Sequence, residues 1–224
     1  IASAKDNVTK ISNNEKININ NVFTFMIIFL DVISPIPKFV IIDNNKVIES
    51  LHILDDNCEK ISDTIHDKFL ILQRKHNLLN LIKYLIVCTG PGSYTSLRVG
   101  ISFMLGISYS KNVPIYGISA TELLSRFIIV EEFYNTLIII CSTNNQNFIC
   151  LPVNHKNYQY KILSVIDQRP FNNINLKLYS KCIANFDLPD SFNQKLCSRI
   201  EKLERINFEY KLYENFLSTV NKKN

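Results

Sequence analysis

Glycine is scarce: there are five in 224 residues, and the last is Gly117. Tryptophan is missing altogether, and proline occurs seven times. Collagen-like and linker-like architectures, which need glycine or proline in quantity, are excluded. His52, His66, His76 and His155 form no HxxxH or HExxH pair, so a helical zinc-hydrolase motif is absent. The six cysteines (Cys58, Cys88, Cys141, Cys150, Cys182, Cys197) form no CxxC pair and are too sparse for a disulfide scaffold. Several sit in apolar runs, as in Val87-Cys88 and Ile140-Cys141, and read as buried free thiols in a reducing cytosol. The longest apolar stretch, FTFMIIFLDVISPIPKFVII, is broken by Asp31, Pro35, Pro37 and Lys38 before it reaches a membrane-spanning length.

Charge of one sign never accumulates either. Residues 1–25 carry 3 basic and 2 acidic groups, residues 26–129 carry 10 and 9, and residues 130–224 carry 12 and 9. A dedicated nucleic-acid binder concentrates its basic charge, and this net +5 is spread thinly. What is present is a folded-protein composition, 46% hydrophobic and 20% charged, long enough for one large domain or two small ones.

Residues 1–25, rich in Asn, Lys and Ser, lack periodicity and read as a flexible arm. They lack the layout of a signal peptide. MIIFLDV (26–32), KFVIIDN (38–44) and KVIESLHI (46–53) read as three antiparallel strands, with Asn44-Asn45 as a hairpin turn. Cys58, Ile61, Ile65, Phe69 and Leu72 share one face of a helix over about 58–76. YLIVCTG (84–90) is a buried strand, residues 95–111 a second helix, IYGIS (115–119) another strand, and Thr121-Glu122 opens a short third helix. This β-β-β-α-β-α-β-α order predicts an α/β layer with mixed strand directions over 26–128. Residues 129–224 read as a smaller, divergent domain with strands near 136–142, 148–153 and 160–166 and an amphipathic stretch at 197–206. No internal repeat is visible.

The stretch TGPGSYTSLRVG (89–100) holds three of the five glycines and joins a strand to a helix. Free N–H groups at a helix start, with glycines allowing close approach, can cradle an anion. A tight turn with Ser93 or Thr95 as cap satisfies the same pattern. The spacing is not that of a Walker A loop, and no Lys follows. Between Arg98 and Lys111 no residue is charged. At 100° steps Leu97, Val99, Ile101, Phe103, Met104, Leu105 and Ile107 cover most of the circumference, leaving a narrow sector of Arg98, Ser102, Gly106 and Tyr109. Such a helix is expected to be covered on both sides. The cover is either the preceding helix or a helix of another protein, and Ser96 and Gly100, small residues four apart, would admit the latter. Arg98, at the helix start, opposes the dipole, so it either meets a partner carboxylate or stands solvated.

MIIFLDVIS, TGPGSYTSLRVG and VPIYGISATELL, in this order and spacing, resemble the TsaB (YeaZ) family over about residues 26–128. The family's loop reads close to GPGSFTGLRIG; here Tyr94 stands for Phe and Ser96 for Gly. The resemblance suggests Met26 as the native start. It implies the actin-like, Hsp70-like, sugar-kinase-like (ribonuclease H-like) fold. It also implies a cytoplasmic, non-catalytic scaffold subunit for tRNA threonylcarbamoyladenosine synthesis. Such a subunit forms a heterodimer with TsaD, the catalytic paralogue, through the first two helices, and the ATPase TsaE joins them. A homodimer through the same helices is a further arrangement; tRNA is touched only indirectly, and no membrane, metal or cofactor is implied. The partner interface expected on this reading is Ser96, Leu97, Gly100, Ile101, Phe103, Met104 and Ile107, beside a family-type loop of Gly90, Pro91, Gly92, Ser93, Tyr94, Thr95 and Arg98.

Three absences argue against chemistry of its own. The superfamily's phosphate loop begins with Asp followed by small or hydroxylic residues; here Asp31 is followed by Val32 and Ile33, whose branched side chains cannot donate to phosphate. Glycine-rich adenosine turns cannot form in a second half without glycine. The metal-binding HxxxH pair of the catalytic paralogue is missing, and no spacing joins Glu49, His52 and His66 into a substitute. One departure from the family lies at Cys141-Ser142-Thr143-Asn144, where an Asp-Ala-Arg-type segment is usual. An ATP-dependent phosphotransferase or ATPase of the superfamily is the rival enzyme reading, and a metal-dependent peptidase a more distant one.

Overall fold

The computed structural model describes residues 26–44, 46–55, 60–142, 146–165, 174–188, 190, 194, 196 and 200–206. The arm expected over 1–25 lies outside the described residues, as do Cys58, Cys197, Thr143 and Asn144.

The first half opens with β1 (Met26–Asp31), β2 (Lys38–Asp43) and β3 (Lys46–His52), an antiparallel meander. Asn44, at φ 46°, takes the left-handed conformation of the hairpin turn, a region its short polar side chain tolerates better than most. Then follow α1 (Ile61–His76), a single turn α2 (Leu78–Leu81), β4 (Ile82–Cys88), α3 (Tyr94–Lys111), β5 (Ile115–Ile118) and α4 (Ala120–Ser125). Helices α1 and α3 both end on an asparagine in the left-handed region, Asn77 and Asn112, whose N–H groups cap Gln73 and Ser108. β4 runs from 82 to 88 rather than 84 to 90, because α2, which the apolar pattern did not announce, delivers the chain directly into the strand.

The second half contains β6 (Thr136–Cys141), β7 (Asn147–Asn154), β8 (Gln159–Val165), β9 (Lys181–Ala184) and β10 (Lys202–Arg205). The end of the amphipathic stretch 197–206 is therefore a strand, parallel to β9. The two sheets have the same topology. The first runs β3-β2-β1-β4-β5 and the second β8-β7-β6-β9-β10, each a meander of three antiparallel strands followed by two parallel additions. The repeat missing from the sequence is thus present in the hydrogen bonding, which depends on the backbone and not on side-chain identity.

β1 alternates between two cores. Ile28 and Leu30 join Phe39, Ile41, Leu85 and Val87 beneath α1 and α3. Ile27 and Phe29 face the other way and merge with Ile138, Ile140, Cys150 and Ile183 of the second sheet and Leu123 and Leu124 of α4. One buried apolar cluster therefore spans both halves. A third cluster, around Leu137, Ile139 and Ile149, covers the far face of the second sheet. Cys88, Cys141 and Cys150 are free thiols, and they and Cys182 are buried, as the apolar runs around them imply.

Candidate functional site

β1 ends at Asp31, a carboxylate only 1% exposed. Its Oδ1 accepts the N–H groups of Ile33 (2.9 Å) and Ser34 (3.0 Å), and its Oδ2 accepts the Ser34 hydroxyl at 2.5 Å. The charge is satisfied by its own turn, which makes Asp31 a structural cap in place of a base. Val32 and Ile33 are both fully buried. Val32 fills the space opposite Gly100, and Ile33 the space opposite Gly92. Beside them the Cys88 thiol is pushed up first by burial and then by the Asp31 charge, which disfavours the thiolate.

The loop after β4 is held from both sides. Gly90, at φ 118°, needs glycine's freedom, and its carbonyl accepts the Ala120 N–H at 2.8 Å. Gly92 is tightly packed, since a Cβ would lie 3.1 Å from Ile33 Cγ1 and 3.2 Å from Ser142 Oγ and would press both by a few tenths of an ångström. Ser93 stands at the N-cap of α3 but makes no side-chain capping bond. Its N–H instead donates to Ser142 Oγ at 3.0 Å. Of the two readings of this loop, neither the Ser93 cap nor an open anion cradle describes the Ser93 N–H. Pro91 is half-buried; Tyr94 and Thr95 are exposed.

Cys141 ends β6 as Asp31 ends β1. Asn185, 2% exposed, clamps its backbone, accepting the Cys141 N–H (2.7 Å) and donating to the Cys141 carbonyl (2.9 Å). Sequence reasoning noted Ser142 only as a departure from the family and missed Asn185; nothing local marks either one. Among the described residues no cluster of His, Cys, Asp or Glu could hold a metal. Glu49 pairs with His76 and with Lys75 (2.8 Å), tying β3 to the end of α1, while His66 lies beside Asp67.

On helix α3 the residues expected at a partner interface divide between buried and half-buried positions. Ser96, Gly100, Met104 and Ile107 are buried. A Cβ on Gly100 would stand 2.7 Å from Val32 Cγ1 and 3.3 Å from Leu30 Cδ2, so the small residues Ser96 and Gly100 line the side that meets the sheet. Leu97, Ile101 and Phe103 are half-buried in the same core. Phe103 meets Phe69 of α1 at 5.4 Å and Phe39 of β2 at 6.0 Å, so α1 supplies the internal cover on that flank. The outward side carries Tyr94, Arg98, Ser102, Leu105, Gly106 and Tyr109, all exposed, with Tyr109 at 88%. Arg98 lies over the Tyr94 ring at 5.4 Å, and among the described residues nothing comes within 4 Å of where a Cβ on Gly106 would be.

A scan against protein families matches residues 71–167 to the family described as TsaD, tRNA N6-adenosine threonylcarbamoyltransferase. Among solved structures, YeaZ from Pseudomonas aeruginosa superposes with a TM-score of 0.55 at 10% identity, over 89% of this chain and 92% of that one. The chain has the fold of YeaZ. A second Pseudomonas aeruginosa structure, described as similar to peptidase YeaZ, gives 0.53 at 10% identity, with 89% and 92% covered. A Bacteroides thetaiotaomicron protein with an actin-like ATPase fold gives 0.52 at 8% identity, with 88% and 95% covered. No curated protein sequence matches. The fold is therefore actin-like, and the resemblance to YeaZ extends beyond residues 26–128 into the second half. No helix among the described residues is long and apolar enough to cross a membrane.

Proposed function

We propose that this chain is a non-catalytic subunit of the machinery that adds threonylcarbamoyl to the adenosine beside the tRNA anticodon. In this reading it works in the cytoplasm and pairs with TsaD, the catalytic paralogue. The observation that carries the reading is the turn after β1. Asp31 is consumed by its own backbone, and the positions where a superfamily phosphate loop needs small donors hold two fully buried branched residues, Val32 and Ile33. The likeness to YeaZ and the TsaD family match support the process and the partner. TsaE would join the pair, and tRNA would reach this subunit only through it.

The partner surface that fits best is the outward side of α3. Ser102 and Gly106 are small and four apart, so a second helix can approach closely there, with Leu105 and Tyr109 as flanking apolar contacts. Glycine inside an exposed helix costs about 1 kcal/mol relative to alanine, and no contact among the described residues needs it at 106. The test is co-purification with TsaD from the same cell, with labelled ATP present. The expected result is a stable heterodimer, no nucleotide retained by the lone chain, and loss of the complex with Gly106→Arg. Nucleotide bound by the lone chain would favour the phosphotransferase reading. Self-association lost in the same variant would assign the face to a homodimer.

A further inference from the structure

Ser142 and Ser93 are 49 residues apart in sequence, one just beyond β6 and the other at the start of α3. Both are buried. The first N–H groups of a helix have no partner within it, and an anion is a common ligand for them. Here a neutral hydroxyl from the other half of the chain occupies the Ser93 N–H. That hydroxyl is well anchored. The Ser142 N–H donates to the Gln146 carbonyl at 2.7 Å, and Asn185 fixes the residue before it on both backbone groups. On the opposite side Ile33 closes over Gly92, leaving the loop no space to move inward.

We infer that Ser142 is an internal latch: its hydroxyl holds the Gly90–Ser93 loop, and with it the first turn of α3, against the second half of the molecule. The latch occupies the Ser93 N–H, one of the groups that an anion at the helix end would use. It also fixes α3 in one orientation, so that its outward side is presented without a ligand. This deepens the scaffold reading, but its test uses neither pairing nor nucleotide, so the two can fail separately.

The experiment is residue-resolved hydrogen exchange on the full chain. The Ser93 amide is expected to be protected in the wild type. Ser142→Ala should raise its exchange about tenfold, the loss of one buried hydrogen bond, while the amides of β1 and β6 keep their rates. Gly92→Ala should produce the same local loss from the other side, because its Cβ would press on Ile33 and on the Ser142 hydroxyl. A wild-type Ser93 amide exchanging as fast as that of Asn157 in the exposed β7–β8 turn would overturn the latch. So would unchanged Ser93 protection in Ser142→Ala, or a uniform rise across all amides. If Ser142→Ala does not fold, the wild-type rate and Gly92→Ala decide.

Discussion

Gly100 of α3 lies directly against Val32: a Cβ on the glycine would stand 2.7 Å from Val32 Cγ1. That contact sets how closely the helix rests on the end of β1, and it couples the filled turn to the helix that carries the proposed partner face. Gly100→Ala is therefore expected to destabilise the isolated chain by about 1–3 kcal/mol, the usual cost of overpacking a full core. Val32→Ala should relieve part of that cost in the double variant, by about 0.5 kcal/mol or more. Urea unfolding of the two single variants and the double variant measures both numbers. Additive losses would mean that the two residues do not share a contact.

Gly106 gives the opposite expectation. Its Cβ position is open, so Gly106→Ala should stabilise the lone chain by about 1 kcal/mol. For a chain of this length that raises the melting temperature by about 2–4 °C. A fall in melting temperature would show that Gly106 has an internal role. Comparing Gly106→Ala with Gly100→Ala separates the outward from the sheet-facing small residues without any partner present.

Glu49 links acid stability to the β3–α1 contact. Burial pushes its carboxyl up, but hydrogen bonds from His76 and Lys75 and their charges outweigh this and hold it below its ordinary 4.5. A carboxylate lowered in the folded state contributes stability that is full above the unfolded value and is lost as pH falls through the folded one. Glu49→Gln should thus be less stable than wild type at neutral pH, and the gap should close in acid below the folded value. Urea midpoints followed from neutral pH down into acid check this. A gap that stays constant would remove the ion pair from the account.

Reactivity of Cys88, Cys141, Cys150 and Cys182 should report global unfolding only. Burial first, and then the Asp187 charge, pushes the Cys141 thiol up to about 12, and burial alone takes Cys150 to about 12. Neither forms appreciable thiolate in mildly alkaline buffer. Iodoacetamide labelling followed by peptide mapping should leave Cys88, Cys141, Cys150 and Cys182 unmodified in the native chain and label them in urea. Native labelling of Cys141 or Cys150 would mean that the second sheet opens locally.

The first half was legible because its signals are local. The short apolar run MIIFLD, the Asn44 turn and the three-and-four spacing of Ile61, Ile65, Phe69 and Leu72 are each read within a few residues. Helix α3 was legible as a helix but not in its orientation. An almost uniformly apolar circumference carries little directional information, and the sheet-facing side is chosen by Val32 and Leu30, more than 60 residues earlier. The pair Ser96 and Gly100 and the pair Ser102 and Gly106 look alike in sequence. Only the position of β1 shows that the first pair lines the core and the second faces out.

By itself the sequence determined the element order of the first half apart from the single turn α2, the absence of a helical metal-binding pair, and the branched residues after Asp31 that cannot serve a phosphate. Those follow from residue type and short-range spacing. The tertiary structure alone decided the shared topology of the two sheets, the Asn185 clamp and the Ser93–Ser142 hydrogen bond. The clamp and the hydrogen bond each join groups more than 40 residues apart, where no periodicity reaches and where pairing depends on how the chain has already folded.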